Sequence, residues 1–149
     1  MRVIDREIVG GFIFSNDGYI LLGKSKPGGV YPGYMMVPGG GVDENETKED
    51  AMKREVLEEV GIDITGATIQ MINGTQSGES EKILRDTDER VLVRMHFNDF
   101  SVTIPKPAAT IMIKSDDDFT DAVWVPIQNL AELKLTEQTK FTLKKIGVL

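Results

Sequence analysis

Short apolar runs alternate with glycine-rich and acidic turns along this chain, and the period of each run predicts its element. Residues 8–14 are apolar apart from Gly10 and Gly11; after Ser15-Asn16-Asp17-Gly18 the chain resumes with Tyr19-Ile20-Leu21-Leu22. Two such runs around a turn of that composition predict a β-hairpin. Residues 26–33 read as a Gly/Pro loop, and residues 34–37 as a short strand ending at Pro38-Gly39-Gly40-Gly41. The period then becomes helical. Met52, Val56 and Val60 share one face, Thr47-Lys48-Glu49-Asp50 has the form of a capping box, and Gly61 is a natural stop.

The second half is richer in strands. Residues 69–72 begin one. Val91, Val93, Met95 and Phe97 alternate with Leu92, Arg94, His96 and Asn98, the pattern of a half-buried strand that residues 100–104 continue past a bulge at Asn98-Asp99. His96, the sole histidine, then points outward beside Arg94. Residues 79–89 alternate in charge sign and predict a solvated loop, a place where substrate choice could reside. Residues 111–113 and 122–125 read as strands around the acidic run of Asp116, Asp117 and Asp118, with Pro126 closing the latter. Residues 136–146 form a terminal helix stopped at Gly147. Strands on both sides of one central helix, with a second helix at the end, predict an α/β fold whose mixed sheet is covered on both faces.

Length and composition narrow the possibilities. At 149 residues, residues 1–149 form one domain, long enough to bury about 68–70% of the unfolded surface. Apolar content of 40% and charged content of 28% fit a soluble globular protein. A net charge of −7 argues against nucleic-acid polymers as partners, because no basic excess exists to displace counterions. An acidic chain can still act on polyphosphates through a bound cation. The absence of cysteine excludes disulfides and thiolate metal sites and fits a reducing cytoplasm. The first residues have no apolar h-region of a signal peptide, and no apolar run approaches the length of a membrane span.

The chemistry concentrates in the central helix. Glu55, Glu58 and Glu59 sit at i, i+3 and i+4, so all three carboxylates fall on one stripe, with no Lys or Arg on the same stripe to offset them. Like charges so spaced cost about 0.2–0.5 kcal/mol per pair. Such a stripe is either solvated or built to hold a cation. Oxygen ligands without Cys or nearby His suit a hard divalent ion, Mg²⁺ or Mn²⁺.

The whole segment closely resembles the Nudix box, G-x5-E-x7-R-E-U-x-E-E-x-G-U with U aliphatic. Gly40 is followed by Glu46, then Arg54-Glu55-Val56, Glu58-Glu59 and Gly61-Ile62, and every defined position matches. Seven fixed letters at residue frequencies of about 6–7% would match by chance on the order of once in a million chains of this size. The surrounding order of elements is also similar to that family, so the resemblance extends over most of the chain. It implies a Nudix-type α/β/α sandwich with a mixed β-sheet between helices, and a metal-dependent hydrolase of a diphosphate linked to another moiety, commonly a nucleoside. Under it, Glu55, Glu58 and Glu59 would be metal ligands, and Arg54 would orient them with Glu46 as its partner. Gly40 would allow the tight turn over the helix. Asp118, with Asp116 and Asp117 beside it, would complete the metal shell or act as base.

Around the box, Lys24 is placed to hold a phosphate as a point charge, and Gly39 to Gly41 offer backbone N–H groups. Tyr31 and Tyr34 either pack the preceding loop or stack on a base. The pairs Gly10-Gly11 and Gly28-Gly29 read as strand and loop geometry. The expected substrate is a small nucleoside diphosphate derivative, such as a nucleoside triphosphate, and family members often pair as homodimers. Two alternatives stand beside this. One is a sugar-nucleotide hydrolase of the GDP-mannose type, similar over residues 21–25 and 31–40, although those enzymes depart from the box where this chain keeps Glu55. The other is a non-catalytic nucleotide-binding module, against which the intact box argues. An isoprenoid diphosphate isomerase would need a cysteine.

Overall fold

A computed structural model describes residues 1–25, 32–116 and 118–149. In chain order its elements are β1 (Arg2–Phe14), β2 (Tyr19–Ser25), β3 (Met35–Met36), β4 (Gly39–Gly41), α1 (Lys48–Val60), β5 (Thr68–Ile72), β6 (Ser77–Ile83), β7 (Arg90–Thr103), β8 (Phe119–Pro126) and α2 (Glu137–Lys145). The strands make one mixed sheet in the order β3-β2-β1-β7-β5, with β4 on β1, β6 on β7 and β8 on β2. Its spine is the parallel pair of β1 and β7, in register from Arg2↔Val91 to Phe14↔Thr103.

Alternation along β1 divides the core in two. Val9 and Ile13 face α1 and pack with Met52, Val56 and Val60, joined by Phe100 and Val102 of β7. Phe12 faces the other way, with Ile20 and Leu22, toward Leu143 of α2. The sheet is thus sandwiched between the helices. Both helices begin at threonines whose side chains accept an N–H three residues on, Thr47 from Asp50 and Thr136 from Thr139. Gly61 ends α1 in the left-handed conformation at φ 69°.

Four local expectations change. Residues 8–14 and 19–22 do pair, but only at Phe14↔Ile20; β2 runs mainly against β8. No bulge interrupts β7 at Asn98-Asp99. Its antiparallel partner changes there instead, from β6, which pairs as far as His96, to β5, which starts at Asp99. Residues 77–83, taken as largely loop, form β6. Their charges serve cross-strand pairs, Glu79 with Arg94 at 3.2 Å and Glu81 with Arg90 at 3.6 Å. Residues 111–113 are not a strand but follow a 3₁₀ turn at Ala108–Thr110. The chain beyond them caps α1, the N–H groups of Lys114 and Asp116 donating to the carbonyls of Val60 and Glu59 at 2.9 and 3.2 Å. Gly28, Gly29, Tyr31 and Asp117 lie outside the described residues.

One polar tie joins the sheet to α2. Asp99, 1% exposed, accepts a hydrogen bond from the Thr142 hydroxyl at 2.8 Å and another from the Gln138 side chain. Gly10, its partner on β1, leaves room for the carboxyl: a Cβ there would lie 2.8 Å from Oδ1. Burial pushes the Asp99 carboxyl up to about 6. Among the described residues no helix is long and apolar enough to cross a membrane.

Candidate active site

The box wraps around one guanidinium. Arg54, on α1, bonds Glu46 through two nitrogens at 2.8 and 3.0 Å, the Gly41 carbonyl at 3.0 Å and Glu55 at 3.0 Å. It also reaches Glu58 at 3.4 Å and Asp43 at 3.5 Å. The glutamate stripe is therefore not without a cation: Arg54 lies off the i, i+3, i+4 row, but its long stem carries the guanidinium back over it. Glu46 is held down to about 2, first by the bonds from Arg54 and then by the Asp43 N–H. The same bonds raise Arg54 above its already high ordinary value. This network binds the loop of residues 41–46 to α1.

The three glutamates do not share one environment. Glu59 is 8% exposed and accepts the Gly39 N–H at 2.8 Å, so β4 is fastened to the end of α1. Its carboxyl meets that of Glu55 within hydrogen-bond reach, and the bond favours a proton on Glu59. Burial, followed by the nearby charges of Glu55 and Asp116, pushes Glu59 up to about 8. Glu55 is also raised, chiefly by burial, with Arg54 opposing. Gly40 makes this pair possible, since a Cβ there would stand 2.5 Å from the Glu55 carboxyl carbon. Glu58 turns instead to Arg54 and leaves 56% of its side chain exposed. Among the described residues no three acidic or histidine side chains stand close enough to hold an ion as placed. Two of the three expected ligands, Glu55 and Glu59, converge. Glu58 is held apart by the guanidinium.

The donor set fits a hard divalent cation. It is all oxygen and partly buried, and two of its carboxyls, those of Glu55 and Glu59, lie within hydrogen-bond reach of each other. The late acidic loop does reach it. The Asp116 carboxylate is fixed by the N–H groups of Asp118 and Phe119 at 3.0 and 2.9 Å, and its charge acts on Glu59. Asp118 is exposed on that turn. Asp116 is thus the aspartate that the geometry ties to the pair, whereas the sequence singled out Asp118. Lys24 forms a loose ion pair with Asp121 at 3.9 Å. Tyr34 lies on a groove beside α2, its ring under the Lys134 ammonium at 5.1 Å. His96 stands on the surface, 3.4 Å from Asp5.

A mixed sheet between two helices, with a glutamate-rich loop-helix folded around an arginine, defines a class of hydrolases. The chain belongs to the Nudix family, whose NUDIX domain model matches residues 5–145. It is similar to the nucleoside triphosphatase NudI of Enterobacter sp. strain 638, 28% identical over 97% of this chain and 98% of the relative. The NudI of Salmonella agona strain SL483 is 33% identical over 92% and 94%. Among solved structures, the fold is similar to that of RenU, a Nudix hydrolase from M. smegmatis, with a TM-score of 0.68 at 17% identity, covering 96% of this chain and 84% of that one. It also resembles MutT as studied from Aliivibrio salmonicida and Vibrio cholerae, with a TM-score of 0.61 at 22% identity over 96% and 97%. The protein is accordingly a Nudix pyrophosphohydrolase, in a family whose enzymes generally require divalent cations.

Proposed function

We propose that this enzyme hydrolyses a phosphoanhydride of a nucleoside triphosphate, using Mg²⁺ or Mn²⁺ held by Glu55, Glu58 and Glu59. The observation that carries the reading is geometric: the buried Glu59 carboxyl, fastened to the Gly39 N–H, meets the partly buried Glu55 carboxyl packed against Gly40 at the mouth of the box. The names of the NudI relatives support a triphosphate as substrate. A bound divalent ion would neutralise the phosphates and acidify water.

The chain's own residues do the rest. Glu55 and Glu59 would hold the ion as carboxylates, with any proton between them leaving to solvent. Arg54 ties Glu46 and Glu55 into one frame, so the loop and the Glu55 carboxylate are positioned before substrate arrives. Glu58, exposed and held only at 3.4 Å, can swing from the guanidinium toward the phosphates. The base that takes the proton from attacking water is Glu58 or Asp118, both exposed carboxylates. Backbone N–H groups at residues 39–41 and the Lys24 ammonium offer phosphate contacts. The lack of cysteine fits a reducing cytoplasm, where free nucleotides are met.

Incubation with the common ribo- and deoxyribonucleoside triphosphates, dinucleotides and sugar nucleotides tests this, with products separated by ion exchange. Metal-dependent release of phosphate or pyrophosphate from a triphosphate is expected. Glu58→Gln should slow it by about a hundredfold or more with the fold unchanged. Turnover confined to sugar nucleotides, or none with either ion, would refute the proposal.

A further inference from the structure

A second concave site lies away from the box. It is a groove of about 460 Å³ between α2 and the preceding segment, within the range of small-molecule sites, and no box residue lines it. Leu130, Leu133 and Leu135 supply an apolar wall, and Tyr34 adds an aromatic ring. The rim carries Lys134, Lys140 and Lys144 against Glu137 alone. In a chain of net charge −7, that local excess is the reverse of the whole.

Lys140 and Lys144 are one turn apart on α2 and exposed. Like charges at that spacing repel. Among the described residues none of the three lysines is in an ion pair. Lys134 already covers the Tyr34 ring at 5.1 Å, so a flat ring and a cation meet at one end of the groove. A ligand that answers every wall has an anionic group for the α2 lysines and a flat apolar ring for the leucines and Tyr34. It also has hydroxyls that the Glu137 carboxylate can accept. Those are the phosphate, base and sugar of a nucleotide.

We propose that this groove is a second nucleotide site, separate from the box, which takes a nucleoside monophosphate with its phosphate at Lys140 and Lys144. Such a ligand is what pyrophosphate release from a triphosphate leaves behind, so the site would report that product. The binding claim itself does not require the hydrolytic reading.

The test is a titration of ¹⁵N-labelled protein with adenosine monophosphate in EDTA, which removes cation-bridged affinity at the box. Parallel titrations use adenosine and orthophosphate alone. The monophosphate should shift the amides of Lys134, Lys140 and Lys144, and bind more tightly than either half. Lys140→Glu with Lys144→Glu should weaken it by about tenfold or more, with metal-dependent turnover by the box unchanged. If that pair does not fold by circular dichroism, Lys140→Gln with Lys144→Gln serves. The proposal fails if shifts are confined to Gly39, Glu55 and Glu59, or if charge reversal leaves affinity unaltered. It fails equally if sedimentation shows a second copy of the chain burying the groove, or if orthophosphate binds as tightly as the nucleotide.

Discussion

Replacing Asp99 by asparagine should stabilise this protein above pH 7 and change little near pH 4. The carboxyl is 1% exposed, and its partners are the Thr142 hydroxyl and the Gln138 side chain, neither of them charged. Burial raises it from 3.8 to about 6. A carboxyl raised on folding binds its proton more tightly in the native state than in the unfolded one. Stability is therefore fully present below about pH 4 and is lost as pH rises through about 6, then stays level. A shift of about two units corresponds to about 3 kcal/mol lost by pH 8. Asp99→Asn keeps the shape and an oxygen to accept the Thr142 hydroxyl, but has no charge to bury. Its unfolding midpoint should exceed that of the parent by about 6–12 °C at pH 8, with the gap closing toward pH 4. Urea unfolding of both proteins from pH 4 to 8 measures this directly, since the other titrating groups are common to both and cancel. A gap independent of pH would refute the reasoning. So would a gap that shrinks between pH 5 and pH 8, which would mean that Thr142 and Gln138 favour the ionised form more than burial opposes it.

Two further outcomes follow from the box. Arg54→Ala removes the partner of Glu46, Glu55 and Glu58 together, leaving carboxylates that repel; it should cost about 2 kcal/mol in chemical unfolding and lower turnover by more than its effect on substrate KM. Adding Mg²⁺ or Mn²⁺ at about a hundred times its Kd should stabilise the parent by about 2.7 kcal/mol. Glu59→Gln, which cannot release a proton to an ion, should show little of that shift by differential scanning fluorimetry.

What the sequence revealed depended on how local the governing physics was. The Thr47 start and the Gly61 stop were legible because spacing within one helix determines them, and the Arg54–Glu46 partnership was implied by the resemblance to the Nudix box. The mixed sheet between helices also followed from the order of periods. Long-range pairing did not. Residues 77–83 are almost wholly polar and exposed, so no alternation marks them as a strand; β6 exists because β7 presents an open edge and because Arg90 and Arg94 find Glu81 and Glu79 across it. The reverse error at residues 111–113 has the same cause: an apolar triplet looks like a strand, but the backbone just beyond it is spent on the free carbonyls at the end of α1. That diversion matters for the site, because it brings Asp116 to Glu59 and leaves Asp118 out on the turn. The stripe of Glu55, Glu58 and Glu59 predicted one face. Folding separates it by burial and by the reach of one arginine, so that two carboxyls meet inside while the third stands at the surface on a guanidinium. Side-chain reach and burial are properties of the assembled sheet, and no spacing rule along α1 contains them.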